Sequence, residues 1–489
     1  QAELDNPNDC ATLAVGCQVG LTRDSQTNYD LLNLSAFVQD TITHNKLTMQ
    51  LGIRYDQNHD TALASAVPAS PIVPTLLPAI NFPGVDPGIV FHNFSPRLGF
   101  TYDLQGNGKT LVRANYASYW GQVGTGAIAS QINPVAAVTA RYAWVDANHD
   151  KIVQANEIYD SKNNLLLGPS GNAANYLAIG ANNTWDPAHP GSPTTSNTID
   201  PNLKNDRTDE VIVGADREIG AGFAVGGNYI YRNYTNFNWY PVNGVATDGS
   251  GYSAVSYTAP ASTCPTGASC PTLTYYQPNV QLGGVTTSTN QTNFSRNFNG
   301  VEMTARKRMS HHWLMNSSFS YNSTIVNYGV GSYQDPTNIA ARSGYQYDYL
   351  TSGSGVGNVY INAKYLFKLS GLVNLPWDIN ASAFYNARHG YPYERTVTSP
   401  SRANGAGTAN LLLDNVGDSR LPNYQNVDLH FDRPVKLGTV RFVPSADLFN
   451  LFNFNTVQAQ RGAQNSSNAN YIQAILAPRV IRFGVRFNF

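Results

Sequence analysis

The last eleven residues, RVIRFGVRFNF (Arg479 to Phe489), alternate strictly between large apolar and polar or small side chains. In an extended strand successive side chains point to opposite sides, so Ile481, Phe483, Val485, Phe487 and Phe489 share one face, and Arg482, Gly484, Arg486 and Asn488 the other. Such a strand separates an apolar environment from an aqueous one. Two architectures supply that boundary: the sheet of a soluble β-sandwich and the wall of a membrane barrel.

Composition begins to separate them. The chain has 489 residues, of which only 13% are charged, against about 25% in typical soluble domains. Its polarity comes instead from Asn, Ser, Thr, Gly and Tyr. A net charge of -1 gives no electrostatic reason to expect nucleic acid as a partner. No stretch approaches the roughly 20 consecutive apolar residues of a membrane helix, which excludes a helical membrane protein. No charged-then-apolar leader follows Gln1, so any secretion signal is expected to be removed or to lie outside this chain.

The pattern of the terminal ladder recurs along the chain in pairs of long segments joined by tight turns. KLTMQLGIRYD sets Leu47, Met49, Leu51, Ile53 and Tyr55 against Thr48, Gln50, Gly52, Arg54 and Asp56. Its partner is the segment around Leu32 to Ile42. FSPRLGFTYDL and KTLVRANYASYW meet at QGNGK, a Gly/Asn turn of the kind that closes hairpins. Four further pairs turn over at Gly220 to Gly222, Ser310 to His312, Ser370 to Pro376 and near Gly438. With the terminal ladder, about thirteen strands are expected, many near the ~9–11 residues that a tilted strand needs to cross a bilayer.

Short turns lie at one end of these strands and long loops at the other. Outer-membrane barrels show this asymmetry, with short periplasmic turns and long extracellular loops, and soluble sandwiches rarely do. The fold expected is therefore all-β, a transmembrane antiparallel β-barrel. Residues 1–28 are read as an extracellular loop and 29–489 as barrel, with long loops at 59–91, 121–206, 238–292, 328–353, 390–421 and 456–477. An odd number of crossings from an outside start leaves Phe489 on the periplasmic side. Tyr116, Tyr119 and Trp120, and Tyr229, Tyr231 and Tyr234, sit toward strand ends as interfacial aromatics do. The odd count also raises a difficulty, because a barrel in lipid must close without an unpaired edge.

Several stretches resemble the C-terminal barrel portion of TonB-dependent receptors of the Oar-like branch: SAFVQDTITHNKLTMQLGIRYD (Ser35 to Asp56), FSPRLGFTYDLQGNGKTLVRANYASYW (Phe94 to Trp120), GVEMTARKRMS (Gly300 to Ser310), DLFNLFNFN (Asp447 to Asn455) and the terminal RFGVRFNF. The resemblance implies a 22-stranded barrel with a plugged lumen, of which this chain would supply the later strands. It implies import of a large or scarce nutrient (peptide, oligosaccharide or metal chelate) across the outer membrane of a Gram-negative bacterium. It also implies a plug and a TonB-contacting segment, neither of which is found in this chain, and Phe489 as the signal read by the barrel-assembly machinery. A complementary chain carrying the remaining strands is the expected partner, together with outer-membrane lipid.

The four cysteines form two close pairs, Cys10 with Cys17 and Cys264 with Cys270, each in turn-rich sequence. Local disulfides in an oxidising compartment are expected, with free thiols or a metal site as the alternative. DANHDKIVQANE places oxygen at Asp146, Asn148, Asp150, the Ile152 carbonyl, Gln154 and Glu157, the offsets 1, 3, 5, 7, 9 and 12 of a calcium loop. Lys151 stands where such loops carry glycine. The loop is a candidate Ca²⁺ site, with an ordinary acidic surface loop as the alternative; no other cofactor is expected.

Arg54, Arg97, Arg113, Arg306, Arg308, Arg482 and Arg486 all fall on the face opposite the apolar one. They are assigned to the lumen, because a charge facing lipid at mid-depth costs about 2–4 kcal/mol. There they would pair with a plug or with wall carboxylates, or bind substrate. No GxSxG, HExxH or phosphate loop occurs, His311 and His312 read as a solvated turn, and Asp216 and Glu218 as wall residues rather than an acid–base pair. No catalytic residue is assigned and the protein is not expected to be an enzyme. A passive porin, or an adhesin or surface-assembly protein using the long loops, remains as the alternative to nutrient import.

Overall fold

The computed structural model describes residues 2–3, 10–13, 16–23, 26–135, 139–179, 189–220, 222–259, 271–345, 350–351, 359–360 and 363–488. Fourteen strands build one large antiparallel sheet: β1 (Asn28–His44), β2 (Leu47–Leu63), β3 (Val90–Asp103), β4 (Thr110–Trp120), β5 (Arg207–Gly220), β6 (Phe223–Thr235), β7 (Phe294–Ser310), β8 (Trp313–Tyr328), β9 (Tyr365–Leu375), β10 (Ile379–Arg388), β11 (Tyr424–Asp432), β12 (Val435–Leu437), β13 (Val440–Phe449) and β14 (Val480–Asn488). Each strand pairs with the next in sequence, except that β11 and β12 both lie beside β13, whose other side carries β14. β11 and β12 are one crossing with a break. Pro434 sits in the break opposite a stretch of β13 that contains Pro444, and neither proline has an N–H to give the ladder.

The short turns form where their residues can take the required backbone. Between β3 and β4, Gly106 and Gly108 adopt φ of 74° and 71°, a left-handed conformation that glycine takes without a Cβ penalty. The Asp103 carboxylate accepts N–H bonds from Gln105, Gly106 and Gly108 and so fixes the turn.

Register then sorts the side chains. Leu51 lies opposite Leu98 and Ile53 opposite Pro96. Val213 lies opposite Tyr229, Met303 opposite Phe319, and Phe483 opposite Ala446. The same ladders set Glu210 opposite Arg232, Asn228 opposite Glu302 and Asp447 opposite Arg482. One face of the sheet is therefore continuous in apolar side chains and the other in polar ones. The apolar face is not covered by protein: Phe483 is 80% exposed, and Leu51, Ile53 and Phe487 are exposed too. No helix among the described residues is long and apolar enough to cross a membrane; the crossing elements are strands.

Among the described residues the sheet does not close. β1 pairs only with β2, and β14 only with β13, which leaves a seventeen-residue edge on one side and a nine-residue edge on the other.

The long connections are more ordered than loops. Residues 1–28, read from sequence as a loop, contribute a strand, Gln18–Thr22, that pairs with Thr139–Trp144 of the connection between β4 and β5. Ile158–Tyr159 and Ala178–Ile179 flank the latter strand. Around this small sheet Cys10, Cys17, Val19, Leu21, Val73, Leu77, Tyr142, Trp144, Ile158 and Leu166 make a buried core drawn from three separate stretches of chain. The physical reason is that apolar residues of the wall face lipid, so a water-excluding protein core can form only where the chain leaves the membrane. A disulfide joins Cys10 to Cys17 inside that core. Cys264, Cys270 and Phe489 lie outside the described residues.

Candidate functional site on the polar face of the wall

The polar face carries a series of ion pairs, each set by strand spacing. Residues two apart on one strand, or directly or diagonally opposite on neighbours, share a face and come within reach of each other. Arg54 reaches Asp56 through Nε and Nη2 at 2.8 to 3.0 Å. Arg113 pairs with Asp216 across β4 and β5 and donates to Asn228 at 3.1 Å. Arg232 pairs with Glu210. Arg482 donates to Asp447 at 2.9 Å, and the His430 ring lies 2.7 Å from the same carboxylate.

The remaining arginines singled out in the sequence are placed differently. Arg97, Arg306, Arg308 and Arg486 have no ion-pair partner among the described residues. Arg306 stands opposite Ala224 and Asn316, Arg308 lies two residues before the end of the same strand, and Arg486 stands opposite Val443. Sequence alone did not single out Asp56, Glu210, Arg232, His430 or Asp447. A strand's period gives a residue's face, whereas its cross-strand partner depends on register.

Near the loop-bearing end of this face, β2, β3 and β4 enclose a cavity of about 260 Å³ lined by Arg54, Asp56, Asn58, Asn93, Ser95, Arg97, Tyr119, Trp120, Gly121 and Gln122. Arg54 and Arg97 also line an adjoining cavity of about 160 Å³ with Phe37. The walls are fixed. Trp120 donates its indole N–H to the Phe94 carbonyl at 2.9 Å and lies 5.3 Å beneath the Arg207 guanidinium. Asn58 donates to Asn33, and Arg97 lies 5.5 Å over the Tyr119 ring.

Above the cavity, Asp60 near the end of β2 is 1% exposed and accepts the backbone N–H groups of Gly126, Ile128 and Ala129 at 2.7 to 3.0 Å. That carboxylate ties the start of the long β4–β5 connection to the wall. Deeper in the connection Asp160 is fully buried. Burial by itself raises a carboxyl pKa, but N–H groups of Asn164, Asn175 and Lys162 outweigh it and hold Asp160 below the usual carboxylate range. Burial likewise pushes the Tyr142 hydroxyl well above its ordinary value.

In the candidate calcium loop, Asp146 accepts the N–H groups of Asp150 and Lys151 at 3.1 and 3.0 Å, and Asn148 that of Asp150 at 3.1 Å. Lys151, where glycine was expected, takes φ of 61°. Glu157 is 2% exposed and accepts from the Trp144 indole at 3.3 Å, the Ala147 amide at 3.1 Å and the Gln154 amide at 3.3 Å. Asp150 accepts side-chain amides of Asn148 and Gln154, and Ile152 is exposed. Among the described residues no three His, Cys, Asp or Glu side chains gather as a metal cluster.

A sheet apolar on one face, ion-paired on the other, and turned at one end into folded loops is the wall of a transmembrane β-barrel. Residues 2–392 match the family model described as an outer membrane beta barrel domain, and the chain belongs to that family, which places it in the outer membrane. Among solved structures it is similar to the outer membrane transporter YddB of Escherichia coli, with 10% identity, a TM-score of 0.45, and coverage of 94% of this chain and 54% of that one. It is also similar to the FrpB iron transporter of Neisseria meningitidis (10% identity, TM-score 0.45, coverage 95% and 46%) and to the ferripyoverdine receptor of Pseudomonas aeruginosa (11%, 0.44, 94% and 39%). The chain thus spans about half or less of the length of these structures. No curated protein matches it in sequence.

Proposed function

We propose that this chain forms part of the wall of an outer-membrane receptor that imports a large or scarce nutrient, a peptide, an oligosaccharide or a metal chelate, through a lumen filled by a plug. The observation that carries the reading is a polar, ion-paired face on a sheet whose two outer strands are, among the described residues, each paired on one side only. Unpaired backbone N–H and C=O groups cost several kcal/mol each in hydrocarbon, so β1 and β14 require further strands beside them. A wall completed from these strands to about 22 encloses a lumen wide enough for a plug. The expected partners are accordingly the chain segments that complete the barrel, the barrel-assembly machinery and, through the plug, the TonB complex. The chain is read as a transporter component and not as an enzyme.

Flux measurements on the complete protein test this against a passive porin. Vesicles carrying the purified protein are expected to remain closed to small sugars, and intact-mass analysis of every copurifying polypeptide should account for a plug and the missing strands. Rapid, unenergised sugar flux with no plug present would overturn the proposal in favour of a porin.

We further propose that the loop from Asp146 to Glu157 binds one Ca²⁺ through Asp146, Asn148, Asp150, the Ile152 carbonyl, Gln154 and Glu157. Two features support the reading: Lys151 already holds the left-handed turn, and Asp146 and Glu157 are buried without a basic partner among the described residues. Binding would draw Asp150 away from its amide contacts, and the ion would stiffen the connection rather than catalyse anything. Tb³⁺, a calcium surrogate, should show emission sensitised by Trp144, whose indole touches Glu157. Absence of such emission, or its persistence in Glu157→Gln, would sink this assignment.

A further inference from the structure

We infer that the 260 Å³ cavity between β2, β3 and β4 is a binding site for a carboxylate-bearing ligand, with Arg97 as the charge partner, the Asn93 amide as a second donor, and the Tyr119 ring as a flat aromatic wall. The inference deepens the import reading and rests on the polar face being the transport path.

Three observations converge. First, the lining is unbalanced in charge: two guanidinium groups, Arg54 and Arg97, stand against one carboxylate, Asp56, and Arg54 already takes that carboxylate through two nitrogens. Arg97 is left exposed to the cavity with an aromatic ring for company and no ion-pair partner among the described residues. Second, Asn93 is only 4% exposed, yet its Nδ2 makes no hydrogen bond among the described residues. A buried amide donor without an acceptor costs about 1–3 kcal/mol, and a ligand oxygen in the cavity removes that cost. Third, the groups that would meet the ligand are held before it arrives. Tyr119 lies under Arg97 and its hydroxyl meets the Glu210 carboxylate, so little side-chain entropy is lost on binding.

These features select among ligands. Guanidinium and amide donors side by side call for an acceptor-rich planar group, and a carboxylate offers two oxygens to the Arg97 fork. A neutral sugar would use the amides but leave the surplus charge unanswered. Arg306, Arg308 and Arg486, the other arginines of this face singled out above that have no ion-pair partner among the described residues, do not line this cavity.

Benzoate is the probe, because it carries one carboxylate on a ring that can lie against Tyr119, and benzamide is its neutral counterpart of the same shape. Calorimetric titration of the purified full chain in detergent micelles is expected to show saturable benzoate binding and at least ~10-fold weaker benzamide binding, the range expected for a charge-assisted hydrogen bond. Arg97→Gln should weaken benzoate by a similar factor, Arg97→Lys by less, and Asn93→Ala severalfold. Benzoate should also protect Arg97 from phenylglyoxal. No saturable binding, equal affinity for benzamide, or unchanged binding in Arg97→Gln overturns the assignment. So does protection of Arg97 by a copurifying polypeptide in the absence of benzoate, which would make the cavity a protein contact. Because binding is read without transport, a protein that binds benzoate yet passes sugars freely would refute the import reading and leave this site standing.

Discussion

Adjacent residues on β4 offer a sharp test of which face meets lipid. Ala114 and Asn115 lie mid-strand at nearly the same depth, and both are exposed. Ala114 stands opposite Phe100 and Val213, whereas Asn115 stands opposite Gly99 and Ile212. Replacing Ala114 with Arg puts a guanidinium among apolar neighbours with no carboxylate on that face nearby. At mid-depth this costs about 2–4 kcal/mol, equivalent to roughly a 30- to 700-fold fall in the folded-to-unfolded ratio. Asn115→Arg adds the same charge on the face where Arg113 already pairs with Asp216, and a surface substitution there is expected to stay within about 0.5 kcal/mol. Both variants of the full chain, refolded into lipid vesicles and titrated with denaturant under tryptophan fluorescence, should separate by most of that difference. Equal losses, or a larger loss for Asn115→Arg, would refute the assignment of the faces and with it the membrane wall.

Asp60→Ala removes the acceptor for three backbone N–H groups and should loosen the start of the β4–β5 connection by roughly 2–5 kcal/mol, seen as faster hydrogen exchange at Gly126, Ile128 and Ala129 with the strands unaffected. The Asp160 carboxyl is held below its ordinary value of 3.8, so its contribution is present above that pH and is lost as pH falls through the lower folded value. Proteolysis of the connection should therefore accelerate below about pH 4, and Asp160→Asn should remove that part of the pH dependence. Reducing the Cys10–Cys17 disulfide, or replacing both cysteines with serine, should cost about 2–3 kcal/mol by the loop-entropy estimate and expose the Gln18–Thr22 segment to protease without disturbing the main sheet.

How much of this was legible before folding depends on how local each determinant is. The hairpin at QGNGK needs only its own glycines and Asp103, and the faces of the strand containing Arg54 need only a period of two. The outer-membrane barrel class follows from those local features. The cavity was not legible: Arg54, Asn93, Arg97 and Tyr119 come from three strands, and nothing near Asn93 in sequence marks its amide as buried and unpartnered. The core within the long connections was not legible for a related reason. Val19, Val73 and Trp144 look scattered among polar residues until their segments are brought together.

The sequence by itself determined that this chain makes two-faced strands joined by tight turns, because side-chain alternation and turn chemistry are settled within a few residues. Only the tertiary structure decided which arginine meets which carboxylate, which ones are left over, and where the buried core lies. Those outcomes depend on strand register and on contacts between distant segments, and a charge or an apolar side chain carries no local mark of the partner it will find.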